Sequence, residues 1–146
     1  MAASDYTTET YPASKNEGQI YSLKMSNVKL YAGHMVGTNT SGYAVEGNDE
    51  AADIKILGIA TETVDNSGGS AGDLSIKVKA GTFKLEHDGT LSQAEVGEMV
   101  AGHYNFTVNK AASTSNANLA GMCVEYVSAT EAWVKMGPEM AERING

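Results

Sequence analysis

The chain of 146 residues has one cysteine, two prolines, one tryptophan and no long apolar run. With Cys123 alone no intrachain disulfide exists, and its place in Met122-Cys123-Val124 predicts a buried thiol rather than a reactive one. A membrane-crossing helix needs about 18 or more consecutive apolar residues, which this sequence does not supply. The start, Met1-Ala2-Ala3-Ser4-Asp5, lacks the basic residues and apolar stretch of a signal peptide. The expectation is a soluble product with no membrane partner, kept inside the cell or released by lysis. Basic residues are also scarce: 10 Lys plus Arg stand against 18 Asp plus Glu, a formal charge of -8 with no basic block. Such a surface repels phosphate backbones, so DNA or RNA is not expected as a direct partner, and the same charge favours solubility.

Motifs of catalysis are missing too. The histidines, His34, His87 and His103, show no HExxH or His-x-His spacing and no partner cysteines. They are expected to face solvent, and no transition-metal site is predicted. Asp49-Glu50 with Asp53, and Glu86 with Asp88, have the chemistry to hold calcium. Neither has the oxygen spacing of an EF-hand loop, and solvated acidic loops are the simpler reading. The loop Asp65 to Asp73 has glycines at 68, 69 and 72 but neither a GKS/GKT ending nor a GxGxxG opening a helix. There is no GxSxG elbow. No enzyme activity and no cofactor are expected.

What the chain does have is an internal echo. Gly33-His34-Met35-Val36 returns as Gly97-Glu98-Met99-Val100, Gly58-Ile59-Ala60-Thr61-Glu62 as Gly121-Met122-Cys123-Val124-Glu125, and Val78-Lys79-Ala80-Gly81 as Val134-Lys135-Met136-Gly137. The order is the same in both copies, which stay in step until the second loses part of the 65–73 loop. A repeat implies that each unit must pack on the other to bury its apolar face. Two copies suit a closed barrel or a two-sheet sandwich. Sixteen glycines, with frequent Thr, Ser and Asn, predict many turns between short strands.

The organisation predicted is an extended N-terminal arm over 1–18, a β domain over 19–137 with copies at about 28–85 and 92–137, and a polar tail over 138–146. The arm has β-propensity from Tyr6, Thr7, Thr8, Thr10 and Tyr11, with Pro12; a frayed terminus is the alternative. Met35-Val36, a Thr38-to-Gly42 turn and Tyr43-Ala44-Val45 predict a hairpin in which Asn39 and Gly42 take the unusual backbone angles. The strand from Ile54 to Ala60 is apolar on both faces along part of its length, hence central. Ile76 and Val78 share one parity and Phe83 and Leu85 the other, with Gly81 at the switch as a bulge. Ser92-Gln93-Ala94-Glu95 has capping-box spacing. Ala111 to Asn118 reads as a low-complexity loop, and Trp133 as a core or interface anchor of the last hairpin.

The succession Lys29 to Val36, Ile56-Leu57-Gly58-Ile59-Ala60 and Ala71-Gly72-Asp73 to Gly81 resembles the capsid cement, or head-decoration, proteins of tailed bacteriophages. That family has a Gly-x-x-Val strand start, a Leu-Gly-Ile-Ala strand and a Gly-Asp-x-x-x-Val strand ending in glycine. The resemblance spans about 19–137. The expected fold is all-β, a small β-barrel or β-sandwich of tulip or jelly-roll type built from two similar halves. The resemblance implies a non-enzymatic virion protein on the outer capsid surface, made in the host cytoplasm, whose partner is the major capsid protein of the shell. It also implies a homo-oligomer, a trimer. The arm, Tyr6, Thr7, Thr8, Thr10, Tyr11 and Pro12, is the candidate shell-binding element by strand addition. The alternative is a receptor- or carbohydrate-binding β-module of a phage tail or fibre, which would cluster exposed aromatics where this sequence disperses its tyrosines.

Overall fold

The computed structural model of the chain describes residues 8–10 and 19–138. Of the proposed arm, Thr8 and Thr10 fall within these residues; Tyr6, Thr7, Tyr11 and Pro12 lie outside them, as does the tail beyond Pro138. The fold is all-β. In chain order the strands are β1 (Ile20–Lys24), β2 (Lys29–Leu30), β3 (Met35–Thr38), β4 (Ala44–Glu46), β5 (Lys55–Ala60), β6 (Val64–Asp65), β7 (Ser75–Lys79), β8 (Gly81–Glu86), β9 (Met99–Gly102), β10 (Val108–Asn109), β11 (Leu119–Tyr126) and β12 (Glu131–Met136).

They form two five-stranded antiparallel sheets, β1-β7-β5-β3-β4 and β8-β12-β11-β9-β10, with β2 and β6 as a separate ribbon. The two orders are one order read twice, and the registers agree as well. In the first sheet Met35 faces Ile59 and Val36 faces Gly58; in the second Met99 faces Met122 and Val100 faces Gly121. In both, the next rung skips a residue, Leu57 in β5 and Ala120 in β11, so the same β-bulge bends the same strand. The glycines that open these rungs are obligatory for one reason in both halves. A Cβ on Gly58 would stand 2.4 Å from the Lys79 carbonyl oxygen, and one on Gly121 would stand 2.1 Å from that of Lys135.

Each sheet curls until its edges meet. A parallel bridge from Met25 to Ala44 joins the end of β1 to β4, and one from Glu86 to Thr107 joins β8 to the approach of β10. One curled sheet encloses Val36, Ala60, Ile76 and Val78 with Met25, Leu30 and Ala44; Leu23, Val28 and Val64 pack against them. The second core holds Phe83, Leu85, Val100, Val108, Cys123, Ala132, Val134 and Met136. Met35, Ile56 and Ile59, from the other face of the first sheet, join this second cluster and bind the halves together. Each fully buried side chain of this size contributes ~1.5–3 kcal/mol. The strand β5, third of five and buried on both faces, is therefore central as its pattern predicts.

Three expectations need correction. Gly81 is not a bulge inside one strand. β7 ends in the first sheet and, after Ala80 alone, β8 begins in the second; Gly81, at φ 152, makes the corner. The parity switch arises because Ile76 and Val78 serve one core and Phe83 and Leu85 the other. Consequently β8 pairs with β12 and belongs to the second half as the counterpart of β1, not to a first copy running to 85. Of the two places expected for Trp133, the core is excluded and the interface is not: Ala132, Val134 and Met136 point inward, which leaves Trp133 half-buried on the outer face between Glu125 and Lys84.

Local predictions with purely short-range causes hold. β3 and β4 form the hairpin and Gly42 adopts φ 85, but Asn39 does not share the unusual backbone angle expected of it; its side-chain oxygen instead accepts from the amides of Ser41 and Tyr43. Ser92 and Glu95 make the capping box of a short 3-10 turn, and Cys123 is fully buried. Burial raises the Cys123 thiol above its ordinary range.

Candidate functional site

The described part of the N-terminal arm does not project. Residues 8–10 lie across the start of β3, where Gly33 adopts φ 89. The Thr10 amide donates to the Ala32 carbonyl at 2.8 Å, and the Thr63 hydroxyl donates to the Glu9 carboxylate. The chain passes so close that a Cβ on Gly33 would sit 0.9 Å from the Thr10 carbonyl oxygen. Glycine is required here twice over, by its positive φ and by the backbone above it.

His34 completes the anchor. Fully buried between Tyr31 and Phe106, whose rings lie 5.2 and 5.8 Å away, it contacts the Thr8 carbonyl oxygen through Nε2 at 3.0 Å and Glu46 Oε2 through Nδ1 at 3.1 Å. A carbonyl only accepts, so Nε2 carries a hydrogen. One further proton lies between Nδ1 and the Glu46 carboxyl. Burial raises the Glu46 pKa, partly offset by the bond and charge of His34 and reinforced by Glu50. The second carboxyl oxygen, Oε1, is buried with no hydrogen-bond partner, consistent with a carboxyl that resists ionisation.

The expectation of solvent-facing histidines is thus overturned. His87 is also buried, with Nε2 on the Ser128 carbonyl at 2.8 Å and Nδ1 accepting the Gly89 amide at 3.1 Å. His103 stacks on Tyr104 and is held by buried Asp49, Nδ1 to Oδ2 at 2.8 Å, with Asp88 3.7 Å from Nε2. His34 and His87 tie segments together through hydrogen bonds at both ring nitrogens and His103 through Nδ1, a role that leaves no trace in sequence spacing.

Of the acidic residues considered for calcium, Glu50, Asp53, Glu86 and Asp88 are exposed as a solvated loop requires, and Asp49 alone is buried. The Asp49 carboxylate takes His103 and the Ser115 amide, so it is a buried structural acceptor. Among the described residues no group of three or more His, Cys, Asp or Glu is placed to hold a metal ion. The low-complexity loop 111–118 is the partner that sequence reasoning missed. Asn118 donates to the carbonyls of Asn48 and Ala51 and accepts from the Ile54 amide, and Asn116 donates to the Asp49 carbonyl. These asparagines stitch loop 48–54 of one half to the other. Beside them lies a cleft of about 420 Å³ lined by Thr40, Asp53, Lys55, Asn116 and Leu119 among others, with Asp53 at φ 63.

No protein-family model matches the chain, and no curated protein matches it.

Proposed function

We propose that this protein is a capsid decoration protein: a non-enzymatic structural component that binds the outer surface of an assembled phage shell and stabilises it. The observation that carries the reading is the ordered set of motifs at Gly33–Val36, Ile56–Ala60 and Gly72–Gly81. What supports it further is their placement, on β3, β5 and β7, adjacent strands of one sheet. The major capsid protein is the proposed partner, and a trimer the proposed assembly.

The physics of such a role is mass action. A protein that binds only the expanded lattice stabilises that lattice by its differential affinity. An oligomer bridging neighbouring capsomers makes later contacts intramolecular, so modest contacts per subunit give slow release. The acidic surface is suited to a protein that works outside a DNA-filled head without competing for the DNA.

The test is co-sedimentation of the full chain with purified DNA-filled heads, with unexpanded shells and with host glycans as comparators. Saturable binding to mature heads, absent from unexpanded shells, is expected. Recognition of glycans with no binding to heads would replace this reading by that of a tail or fibre receptor module.

A further inference from the structure

The repeat provides an internal comparison at the two strand-opening glycines. Gly33 and Gly97 have the same backbone, φ 89 and φ 93. The Gly33 amide donates to the Ala60 carbonyl at 2.8 Å and the Gly97 amide to the Cys123 carbonyl at 2.7 Å; Ala60 and Cys123 donate back to the carbonyls of His34 and Glu98, both at 2.9 Å. What lies above them differs. Residues 8–10 cover Gly33, whereas among the described residues no atom lies within 4 Å of where a Cβ on Gly97 would be, and Gly97 and Glu98 are exposed. Beyond Gly97, the cross-strand pair Met99 and Met122 is only half-buried, although its counterparts Met35 and Ile59 are buried in the core. The second half thus repeats a site that in the first half is filled by the main chain of residues 8–10.

We propose that the Val96–Met99 edge is a docking site for an extended segment of a partner protein, and that this segment is basic. In the repeat the Val96 carbonyl corresponds to the Ala32 carbonyl, which accepts the Thr10 amide, and the docked segment would use it in the same way. The decisive difference is Glu98 in place of His34. His34 donates to a carbonyl; a carboxylate only accepts. A second copy's residues 8–10 in the same register would therefore set the Thr8 carbonyl against the Glu98 carboxylate. A strand presenting a lysine or arginine there would make a charge-assisted bond, and the net charge of -8 favours its approach. This inference stands on the internal repeat and is independent of the capsid reading.

The experiment is amide chemical-shift mapping on the full chain with two short acetylated peptides. One copies the chain's own Thr-Thr-Glu-Thr-Tyr and the other is Thr-Lys-Thr-Thr-Tyr. The lysine peptide is expected to shift the amides of Val96 to Met99 and to bind about tenfold more tightly than the acidic one, the worth of one charge-assisted bond. Gly97→Asn should block the site by its side chain. Glu98→Lys, an exposed change that leaves the fold intact, should reverse the preference between peptides. No shift at Gly97 with either peptide, equal binding of both, or a preference untouched by Glu98→Lys would overturn the proposal.

Discussion

His34 and Thr8 are joined by a hydrogen bond from a fully buried imidazole to a main-chain carbonyl, 26 positions apart in the chain. The N-terminal segment is thereby part of the body's hydrogen-bond inventory. Deleting residues 2–16 leaves both Nε2 of His34 and the Ala32 carbonyl without these partners. The loss of one buried bond costs about 1–3 kcal/mol, so the truncated chain is expected to fold but to show a lower urea midpoint. If it also fails to bind heads, His34→Phe in the full chain separates the causes, because it loosens the segment without removing it. An unchanged midpoint in the truncated chain would show that the segment contributes nothing to the body.

Gly33 and Gly97 provide a matched pair for mutation. Alanine at either position suffers the positive φ, worth ~1–2 kcal/mol. Only at Gly33 does the new methyl group collide with Thr10. Gly33→Ala should therefore be the more destabilising of the two and should abolish hydrogen-exchange protection of the Thr10 amide, which Gly97→Ala preserves. Equal effects on that amide would contradict the anchored geometry.

Gly58→Ala and Gly121→Ala drive a methyl group into the main chain of the neighbouring strand. Backbone leaves no flexible end to move aside, so each should lose about 3 kcal/mol, the upper end of overpacking costs. The two values should agree, since Lys79 and Lys135 occupy the same place in the repeat. Denaturant midpoints of the two variants test this.

Glu46 gives a pH dependence with a definite sign. Its folded pKa lies above the ordinary 4.5 because burial disfavours the charged form. Between the unfolded and folded values the native state binds the extra proton, so this group's contribution is complete below pH 4.5 and is lost as pH rises through the folded value. Glu46→Gln should remove that part of the slope when urea midpoints are measured against pH. A variant with the wild-type slope would exclude Glu46 as its source.

Cys123 should react with a thiol reagent only on unfolding, since it is buried and its pKa is raised. Rapid labelling of native protein at pH 8 would contradict the packing of the second core.

How much of this was legible depends on the range of the interaction. The Thr38–Gly42 turn with its positive φ at Gly42, the Ser92–Glu95 box and the repeated glycine motifs are short-range patterns that the sequence shows directly; Asn39 differs, since it acts through its side-chain oxygen and not through its backbone angle. The double-sided apolar pattern of β5 also sufficed to place it centrally. The parity switch at Gly81 is visible in the sequence but its cause is not, because it looks the same whether a strand bulges or leaves its sheet. The burial of His34, His87 and Asp49 leaves no mark in the sequence because their partners, Thr8, Ser128 and Ser115, are brought up by topology alone. The described part of the candidate arm, residues 8–10, forms no strand despite its β-prone composition; it is held by the Thr10 amide on the Ala32 carbonyl and the Thr8 carbonyl on His34. That Gly33 receives it is visible only in three dimensions.

The corner at Gly81 has a mechanical consequence. Because β7 runs into β8 through Ala80 alone, tension applied along the first sheet is delivered to the second through covalent bonds, with no slack loop to take up the strain. The two halves therefore share one load path, as a hinge without play transmits a pull from one leaf to the other.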